Sequence, residues 1–522
     1  MAPSTKRPTV SAVLIVKDEE AVLAGCLESV AWADEIVVYD TGSSDGTLAL
    51  ARTFTDHVVE GYWDDDFGAA RNRALAHATG DWVLSIDADE VFDGDPEAFR
   101  KRLGHRGAIM HTVQVRPRDL GRVAGSRGLQ GSFTVSRVFR RGACEWEGHL
   151  HEQVVPLPEV ERATLEALPN VVLWHSGYEV DVFVGKGKSE RNVAVSEADL
   201  AQALREGATP AYVAERQANL ARSYVAAGRY AEAEDVARTA HATGLLTWRS
   251  VELLAMSMSE CGHIVADVEA ETFWLDAWEA VAGNAAWVCA ARARMAAERA
   301  DAPAVLAALD RVPTTTVNSD QQRLNRYQLA QFEVWALAVV GRHREALAAA
   351  RTAAEHGFQP ASPVGLLAAL GADGVRSFLP AVRDADWTEY ALQCVEDASA
   401  EARAFLTLMH EVRPDDIVAP VAAARLAPVL SLEEATTWAA AVRRAGLAES
   451  CPLVAIAVDP GQDPRQRALA GALAWDVYQD ERALAGLEQA LAAVAPADEA
   501  ELLAQLEIVA PGLVSPAPRI SA

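Results

Sequence analysis

Cysteine is scarce in this sequence, with six residues among 522 and no Cys-x-x-Cys pair. The cysteines lie far apart along the chain, at Cys26, Cys144, Cys261, Cys289, Cys394 and Cys451. Scattered cysteines without paired spacing argue against a zinc site and against a disulfide framework, and they are typical of a protein kept in a reducing cytosol. We therefore expect a cytoplasmic location.

Long apolar runs are also missing. Near the N-terminus the run over residues 10–16 is short, and no suitable cleavage region follows it, so we expect no signal peptide. Elsewhere no run reaches the roughly 20 apolar residues that a bilayer-spanning helix needs. The sequence therefore predicts no membrane span.

Positively charged residues are in the minority: the chain has 47 Lys and Arg residues and 74 Asp and Glu residues, for a net charge of −27. Such a surface repels nucleic acid and anionic lipid, and we expect neither as a partner. An anionic nucleotide binds only where local cations, a metal or a helix N-terminus reverses the field. The composition is globular, and the length predicts about two to four domains.

The first part of the chain alternates between apolar segments and amphipathic helices. The segments predicted as strands are residues 9–16, 36–39, 57–60 and 82–86, with helices over 22–30, 48–54 and 66–80 between them. This alternation predicts a doubly wound, mainly parallel α/β sheet. Residues 108–115 and 133–139 alternate in polarity, as strands at a mixed or antiparallel edge do.

Two carboxylates, Asp87 and Asp89, follow directly after the strand at residues 82–86. In an extended chain their side chains point to the same side, at the edge of the sheet where α/β proteins bind ligands. Carboxylates this close repel each other, and a Mg²⁺ or Mn²⁺ ion between them relieves the repulsion and can bridge a diphosphate. The alternative is an acidic loop that caps the next helix.

Four short motifs stand in the order found in family 2 glycosyltransferases, which have the GT-A fold. The motifs are VKDEE at 16–20, DTGSSDGT at 40–47, ARNRAL at 70–75 and GDWVLSIDADE at 80–90. The N-terminal third of the chain resembles this family, with Asp18 where the family often has Asn. The resemblance implies a Rossmann-like GT-A domain and a metal-dependent, inverting glycosyltransferase that uses a nucleotide-diphosphate sugar.

The resemblance also implies which residues bind the donor. Asp40 is expected to accept hydrogen bonds from the base, while the backbone of Val16 and the carboxylate of Glu19 line the nucleoside. Arg71 pairs either with the diphosphate or with neighbouring carboxylates, and the sequence leaves both alternatives open. A UDP-sugar is favoured as the donor, although no residue separates UDP from GDP or dTDP.

The metal, Mn²⁺ or Mg²⁺, is expected at Asp87 and Asp89, and Asp87 is also expected to contact the donor. His175 follows the last predicted strand of the domain, where GT-A enzymes often place a histidine that completes metal coordination, and neutral imidazole suits Mn²⁺. The acidic run at 64–66 is interpreted as a loop and helix N-cap, and Asp45 as an N-cap and turn former.

A second cluster, WEGHLHEQ at residues 146–153, resembles the Gly-x-x-His-Glu segment of those family 2 enzymes whose catalytic domain is followed by helical repeats. The acceptor must lose a proton as it attacks the sugar, and a carboxylate within hydrogen-bond reach can accept that proton. We predict Glu152 as the base, with His151 orienting it or contacting the acceptor. His151 as the base, or a role without chemistry for the pair, are the alternatives.

From residue 181 the sequence is helical, and we expect no further strands. Residues 219–233 and 335–346 share a helix, a Gly turn and a second helix near Glu-Ala, and residues 290–309 form a degenerate copy. These stretches resemble tetratricopeptide repeats, which must stack to bury their apolar faces. The predicted domains are a GT-A domain at 1–180, helical repeats at 181–383 and a helical region of divergent repeats or a bundle at 384–522.

The repeats would hold the acceptor, either a peptide, a protein or a glycan, or form a homo-oligomer. The alternative function is a scaffold whose GT-A domain binds a nucleotide without turnover; an intact set of site residues argues against it, namely Asp40, Asp87, Asp89, Glu152 and His175. A nucleotidyltransferase would need a Gly- and Arg-rich triphosphate loop after the first strand, whereas residues 17–20 are mostly acidic.

Overall fold

The structure is a computed structural model that describes residues 7–104, 108–117, 133–161, 164–175, 188–283, 285–317 and 323–514. It divides into two compact units. Unit 1 comprises Met1–Arg292 and Arg311–Asn325, and unit 2 comprises Ala293–Asp310 and Arg326–Ala522. The predicted domain borders at residues 180 and 383 lie elsewhere and stay predictions.

Unit 1 begins with the predicted α/β region. Its strands are β1 Val10–Val16, β2 Glu35–Asp40, β3 Val58–Glu60, β4 Trp82–Ser85, β5 Glu90–Asp93, β6 Met110–Pro117, β7 Phe133–Arg140, β8 Cys144–Glu147, β9 Gln153–Pro156 and β10 Leu165–His175. Its helices are α1 Leu23–Ser29, α2 Thr47–Ala51, α3 Phe67–Leu75 and α4 Pro96–Leu103.

Eight of these strands form one mixed sheet in the order β3-β2-β1-β4-β7-β6-β10-β5. The half from β3 to β4 is parallel, as expected for a Rossmann-like sheet. Beyond it, β7 runs antiparallel to β4 and to β6, whereas β6 and β10 are parallel, so this side is mixed, one of the two predicted arrangements. Strands β8 and β9 form a separate hairpin.

Both faces of the sheet are covered, because the strands supply buried residues to two cores. Residues Val10, Ala12 and Leu14 of β1 belong to one core, together with Leu23 and Leu27 of α1. The other core contains residues of β1, β2, α3, β4 and β7, namely Val13, Val37, Ala74, Val83 and Phe139. Burial on both faces explains the nearly continuous apolar sequence of β1 and β4.

The rest of the chain is rich in helix, as predicted, but one strand pair interrupts it. Strands β11 Thr315–Val317 and β12 Arg323–Asn325 pair antiparallel, so the expectation of no strands after residue 181 was wrong. β-branched residues dominate β11 and favour an extended chain. The helices that precede this pair are α5 Lys188–Arg205, α6 Pro210–Ala226, α7 Tyr230–Ala242, α8 Trp248–Ile264, α9 Val268–Val281, α10 Ala286–Glu298 and α11 Ala302–Leu309.

Most helices of unit 2 that follow β12 pack around a core that contains the fully buried Trp387, Phe378 and Phe405. The helices nearest the C-terminus bury Leu487, Leu502 and Leu506 in a second core. A 3₁₀ turn at Arg326–Leu329 precedes all of these helices. The helices are α12 Ala330–Val339, α13 His343–Glu355, α14 Pro363–Phe378, α15 Asp384–Asp397, α16 Ala400–Val412, α17 Val418–Arg425, α18 Leu432–Arg444, α19 Pro452–Val458, α20 Pro464–Tyr478, α21 Leu484–Ala493, α22 Glu499–Val509 and α23 Pro511–Val514.

Helical hairpins recur with the same turn between their two helices. The residue in the left-handed region of each turn is Gly228 (φ +73°), Ala266 (φ +57°), Ala300 (φ +58°) or Gly341 (φ +80°). In each case the next amide closes the end of the first helix; for example, Arg229 N donates to the Tyr224 carbonyl at 2.9 Å. The predicted helix–turn–helix stretches are thus confirmed, including the degenerate copy at 290–309 with its turn at Ala300, and one further copy turns at Ala266.

Among the residues that the structure describes, one helical segment, Pro363–Ala381, is long and apolar enough to cross a membrane by length and composition. Its helix is broken at Gly371, where φ is +65° and ψ is +174°. A spanning helix must satisfy its backbone hydrogen bonds internally. The side chains of Leu366, Val375 and Phe378 pack in the core of unit 2.

Candidate active site

The loops after β1 and β2 are bound to each other. Asp18 N donates to Ser43 Oγ at 2.9 Å, and the Asp18 carboxylate accepts from Ser44 N at 2.7 Å. Glu19 N donates to Thr47 Oγ1 at 2.8 Å. Asp18 has φ +54°, a conformation that Asn and Asp tolerate best among residues with a side chain. The loops after β1 and β2 therefore form one hydrogen-bonded edge of the sheet. Asp18, which stands where the related family often has Asn, fits the backbone conformation at that position.

The residues predicted to bind the nucleoside lie at this edge. Val16 and Asp40 end their strands as register partners. The buried Asp40 carboxylate accepts from Gly42 N at 3.0 Å and from Ser43 N at 2.9 Å, and it also bonds the Ser43 hydroxyl. Asp40 thus shapes the loop that follows it. The nucleoside contacts of Val16, Glu19 and Asp40 stay predictions.

Arg71 lies at the centre of the charged groups. It is buried on α3, and its Nε donates to Glu152 Oε1 at 2.7 Å while a terminal nitrogen donates to Asp87 Oδ1 at 2.8 Å. Its guanidinium also lies 4.9 Å from the ring centroid of Trp146. Burial lowers the pKa of Arg71, but the carboxylates of Asp87 and Glu152 outweigh this and raise it above its ordinary value. Arg71 therefore pairs with carboxylates, one of the two alternatives left open by the sequence.

Asp87 is held by a second cation that the sequence analysis did not identify. Arg137 on β7 donates to Asp87 Oδ2 at 2.5 Å and lies 3.6 Å from Glu90 Oε1. Burial raises the pKa of Asp87, but Arg137 and Arg71 outweigh it and hold that pKa well below its usual range. In contrast, burial raises the pKa of Glu90 to about 7. Asp87 is therefore a carboxylate clamped by two guanidinium groups.

Two of the three predicted metal ligands lie close together. His175 Nε2, at the end of β10, is 3.5 Å from Asp89 Oδ2. The antiparallel pairing of β10 with β5, in which His175 is the register partner of Glu90, brings them together. Over the described ranges, no group of three or more His, Cys, Asp or Glu side chains is arranged to hold a metal. The metal-binding roles of Asp87, Asp89 and His175 stay predictions.

The second predicted cluster forms the hairpin β8–β9, which α3 holds in place. The Asn72 side chain donates to the Trp146 carbonyl at 2.8 Å and accepts from Trp146 N at 2.9 Å, as a neighbouring strand would. Phe67 N donates to the His149 carbonyl at 2.9 Å. Asp66 caps α3 by accepting from Ala69 N, as predicted. These contacts explain why Arg71 and Asn72 stand together in one motif.

The histidines of the hairpin differ in their surroundings. His149 Nδ1 lies 3.1 Å from Asp199 Oδ1 and so has an acidic partner. His151 has φ +57°, and its Nε2 is buried with no hydrogen-bond partner among the described groups. Burial lowers the pKa of His151 to about 3, and the nearby Arg222 adds to this effect. His151 is therefore a neutral imidazole.

A cavity of about 1590 Å³ lies within unit 1 next to these groups. Polar and aromatic side chains from the sheet, the hairpin and the first helices line it, including Thr134, Arg137, Trp146, His151, Glu152, Arg222, Trp248 and Arg249. Glu152 thus connects the charged cluster around Asp87 with a space large enough for a substrate.

A family model described as Glycosyl transferase family 2 matches residues 11–139. These residues form a family 2 glycosyltransferase domain. The glycosyltransferase domain includes Val16, Asp40, Arg71 and Asp87, together with Asp89 and Arg137. Glu152 and His175 follow the matched region, and the structure joins both to residues within it.

Three relatives each match part of the chain. A TPR repeat-containing protein of Synechococcus elongatus is 38% identical over 191 residues, 35% of this chain and 45% of that protein. The SPbeta prophage-derived glycosyltransferase SunS of Bacillus subtilis is 26% identical over 194 residues, 36% of this chain and 44% of that protein. The lipopolysaccharide core biosynthesis glycosyltransferase LpsC of Rhizobium meliloti is 36% identical over 170 residues, 30% of this chain and 61% of that protein. The chain spans about half the length of the first two.

Proposed function

We propose that this protein transfers a sugar from a nucleotide-diphosphate donor, a UDP-sugar being the first choice, to an acceptor, with inversion at the sugar. The observation that carries the proposal is that Arg71 joins Asp87 of the glycosyltransferase domain to Glu152 at a large cavity. One carboxylate beside the acceptor space suits a single displacement, in which one base serves one attack.

The donor would bind at the edge formed by the loops after β1, β2 and β4. The protein is strongly acidic overall, so an anionic diphosphate needs a local reversal of the field. Arg71 and Arg137 supply two buried or nearly buried guanidinium groups at this edge. Their present partners are carboxylate oxygens, and a diphosphate offers oxygens of the same kind.

Asp89 and His175 fit a Mn²⁺ or Mg²⁺ ion. Such ions often take only one or two side chains from the protein and the remaining oxygens from substrate phosphates and water. When bound, the metal would stabilise the negative charge that develops on the leaving diphosphate. Asp87, already clamped by Arg71 and Arg137, would fix the loop that carries Asp89.

Of the two predicted residues, Glu152 is assigned here as the proton acceptor. The pKa of His151 is near 3, so its imidazole binds a proton poorly at neutral pH. Glu152 lines the cavity, and the ion pair with Arg71 fixes one of its carboxylate oxygens. The other oxygen is not in that pair and is available to an acceptor hydroxyl, thiol or amide.

We further propose that the helical repeats hold the acceptor, with a peptide or protein as one candidate and a glycan as another. The similarity to a TPR repeat-containing protein supports a role in binding a macromolecule. A cytoplasmic location and a homo-oligomer, both expected from the sequence, belong to the same proposal.

The test is donor hydrolysis across a panel of nucleotide sugars with Mn²⁺, Mg²⁺ or EDTA. We expect slow hydrolysis of one donor that is lost with EDTA and in both D89A and H175A. D64A is the matched control, because Asp64 pairs with Arg73 instead. Hydrolysis that EDTA and D89A leave unchanged would refute the metal site. A wild-type protein that neither hydrolyses nor binds any donor in thermal-shift assays would refute the transferase function.

A further inference from the structure

Arg222 lines the cavity of unit 1 and has no acidic partner among the residues that the structure describes. On the same helix, α6, Arg216 Nε lies 3.4 Å from Asp199 Oδ2. Arg229, the N-cap residue of α7, pairs with Glu232. Within the ranges that the structure describes, the side chain of Arg222 makes no hydrogen bond or ion pair. An enclosed cation without a counter-ion costs free energy, so this arrangement is one that a bound anion would stabilise.

The surroundings of Arg222 reinforce its charge. It lines the same cavity as Glu152, together with Arg249 of α8. Arg249 is held by Glu252, whose Oε2 accepts from its terminal nitrogen at 2.6 Å. Burial and the charge of Arg249 both lower the pKa of Arg222, although a guanidinium stays protonated at neutral pH. This part of the cavity is therefore cationic in a protein that is acidic overall.

Two further features are typical of a ligand site. Trp248 lines the cavity and leaves 56% of its surface exposed, which provides a flat face for stacking. The buried Nε2 of His151 also lacks a hydrogen-bond partner in the described part of the chain. Unpaired buried polar atoms on one cavity wall are rare in native proteins unless water or a ligand satisfies them.

We propose that Arg222, with Arg249 and Trp248, binds an oxyanion of the acceptor, either a carboxylate or a phosphate. The inference rests on the proposed function, since it names the chemical class of acceptor for that site. The planar guanidinium of Arg222 can donate two parallel hydrogen bonds to such a group. The acceptor would then be selected by its anion at Arg222 while its nucleophile meets Glu152 in the same cavity.

The experiment uses two small probes that combine a ring for Trp248 with an anion for Arg222, namely phenyl phosphate and phenylacetate. Each is titrated into the full chain at low salt by calorimetry. Variants R222Q and R222K are compared with R205Q, which removes an exposed arginine from α5. Donor hydrolysis is measured on the same samples, so a failed donor assay and a failed anion site give different results.

We expect saturable binding of at least one probe, about tenfold or more weaker in R222Q, partly retained in R222K and unchanged in R205Q. The probe that binds more tightly identifies phosphate or carboxylate as the recognised group. Donor hydrolysis without acceptor should be the same in the control R205Q as in the wild type. Equal binding by R222Q, or no saturable binding of either probe, would overturn the proposal.

Thermal unfolding of R222Q separates a binding role from a structural one. Because Arg222 has no partner among the described residues, its replacement should leave the unfolding temperature unchanged or raise it by relieving repulsion from Arg249. A fall of several degrees would show that Arg222 stabilises the fold, and would contradict a site built for an external anion.

Discussion

Replacing Arg71 by methionine should destabilise the α/β part of unit 1 by about 3 kcal/mol. The variant R71M leaves Glu152 without the cation that binds it and leaves Asp87 with Arg137 alone. Breaking a buried ion pair by removing one partner costs about 3–5 kcal/mol, because the remaining charge stays desolvated. Asp87 keeps one cation and is 28% exposed, which places the expected loss at the lower end of that range.

Arg73 provides the matched control, since it lies two positions further along α3. Its guanidinium pairs with Asp64, but the two side chains are 23% and 39% exposed, respectively. Exposed pairs contribute only about 0.2–1 kcal/mol. Methionine and arginine have similar helix propensities, so R71M and R73M differ in the burial of the lost ion pair and not in helix formation.

Hydrogen exchange is the suitable assay, because a chain of two compact units need not unfold in one transition. Peptides covering α3 and β8 should lose protection equivalent to about 3 kcal/mol in R71M and less than about 1 kcal/mol in R73M. Equal losses in the two variants would refute the reasoning, since the pairs of Arg71 would then be no more buried in solution than that of Arg73. An R71M/E152Q double variant should recover part of the loss, because it also removes the unpaired carboxylate.

Further changes test other parts of the structure. The pKa of His151 is low in the folded protein, so as the pH falls the unfolded chain binds a proton before the folded chain does. Between pH 7.5 and 5.0, the free energy of unfolding measured in urea should therefore fall by about 2 kcal/mol more in the wild type than in H151N. Equal losses in the two proteins would contradict this. G80A should lower the free energy of unfolding, because a Cβ at Gly80 would lie 2.7 Å from Ser11 Oγ. In G25A the new Cβ has no atom within 4 Å, and this helix substitution should raise the free energy of unfolding by roughly 0.5–1 kcal/mol. A266G should raise stability by roughly 0.5–1 kcal/mol by relieving a left-handed alanine, and a drop in unfolding temperature would refute that reading of the turn.

The parallel half of the sheet was predictable because its strands are nearly continuous apolar runs separated by helices. The remainder was harder to predict. Strand β5 begins at Glu90, directly after Asp87 and Asp89. The sequence around these carboxylates fits a metal-binding loop or a helix cap as well as the start of a strand. The turn of the hairpin β8–β9 contains Gly148 and His151, both with positive φ. This conformation is uncommon for residues other than glycine, so it is hard to predict from the sequence at His151. Strands β11 and β12 have only three residues each.

The sequence indicated candidate site residues but not the contacts among them. The motifs located Arg71, Asp87 and Glu152, and only the fold shows that Arg71 touches both carboxylates. Arg137 was missed because it lies outside the motifs that indicated the other site residues. The antiparallel pairing of β7 with β4, with Val138 opposite Leu84, brings it to Asp87. One signal was present: Arg137 is a charged residue within a strand whose next two residues, Val138 and Phe139, are fully buried.

The hydrogen bonds between α3 and the hairpin β8–β9 have a consequence for exchanging segments between related domains. The amide of Asn72 takes the place of a neighbouring strand for Trp146, although the two residues are 74 positions apart. A chimaera that imports the hairpin of a related domain would lose this partner and the cation for Glu152 unless α3 came with it. Helix and hairpin therefore form the smallest transferable module, and a one-residue insertion within α3 would turn Arg71 or Asn72 by about 100° away from it.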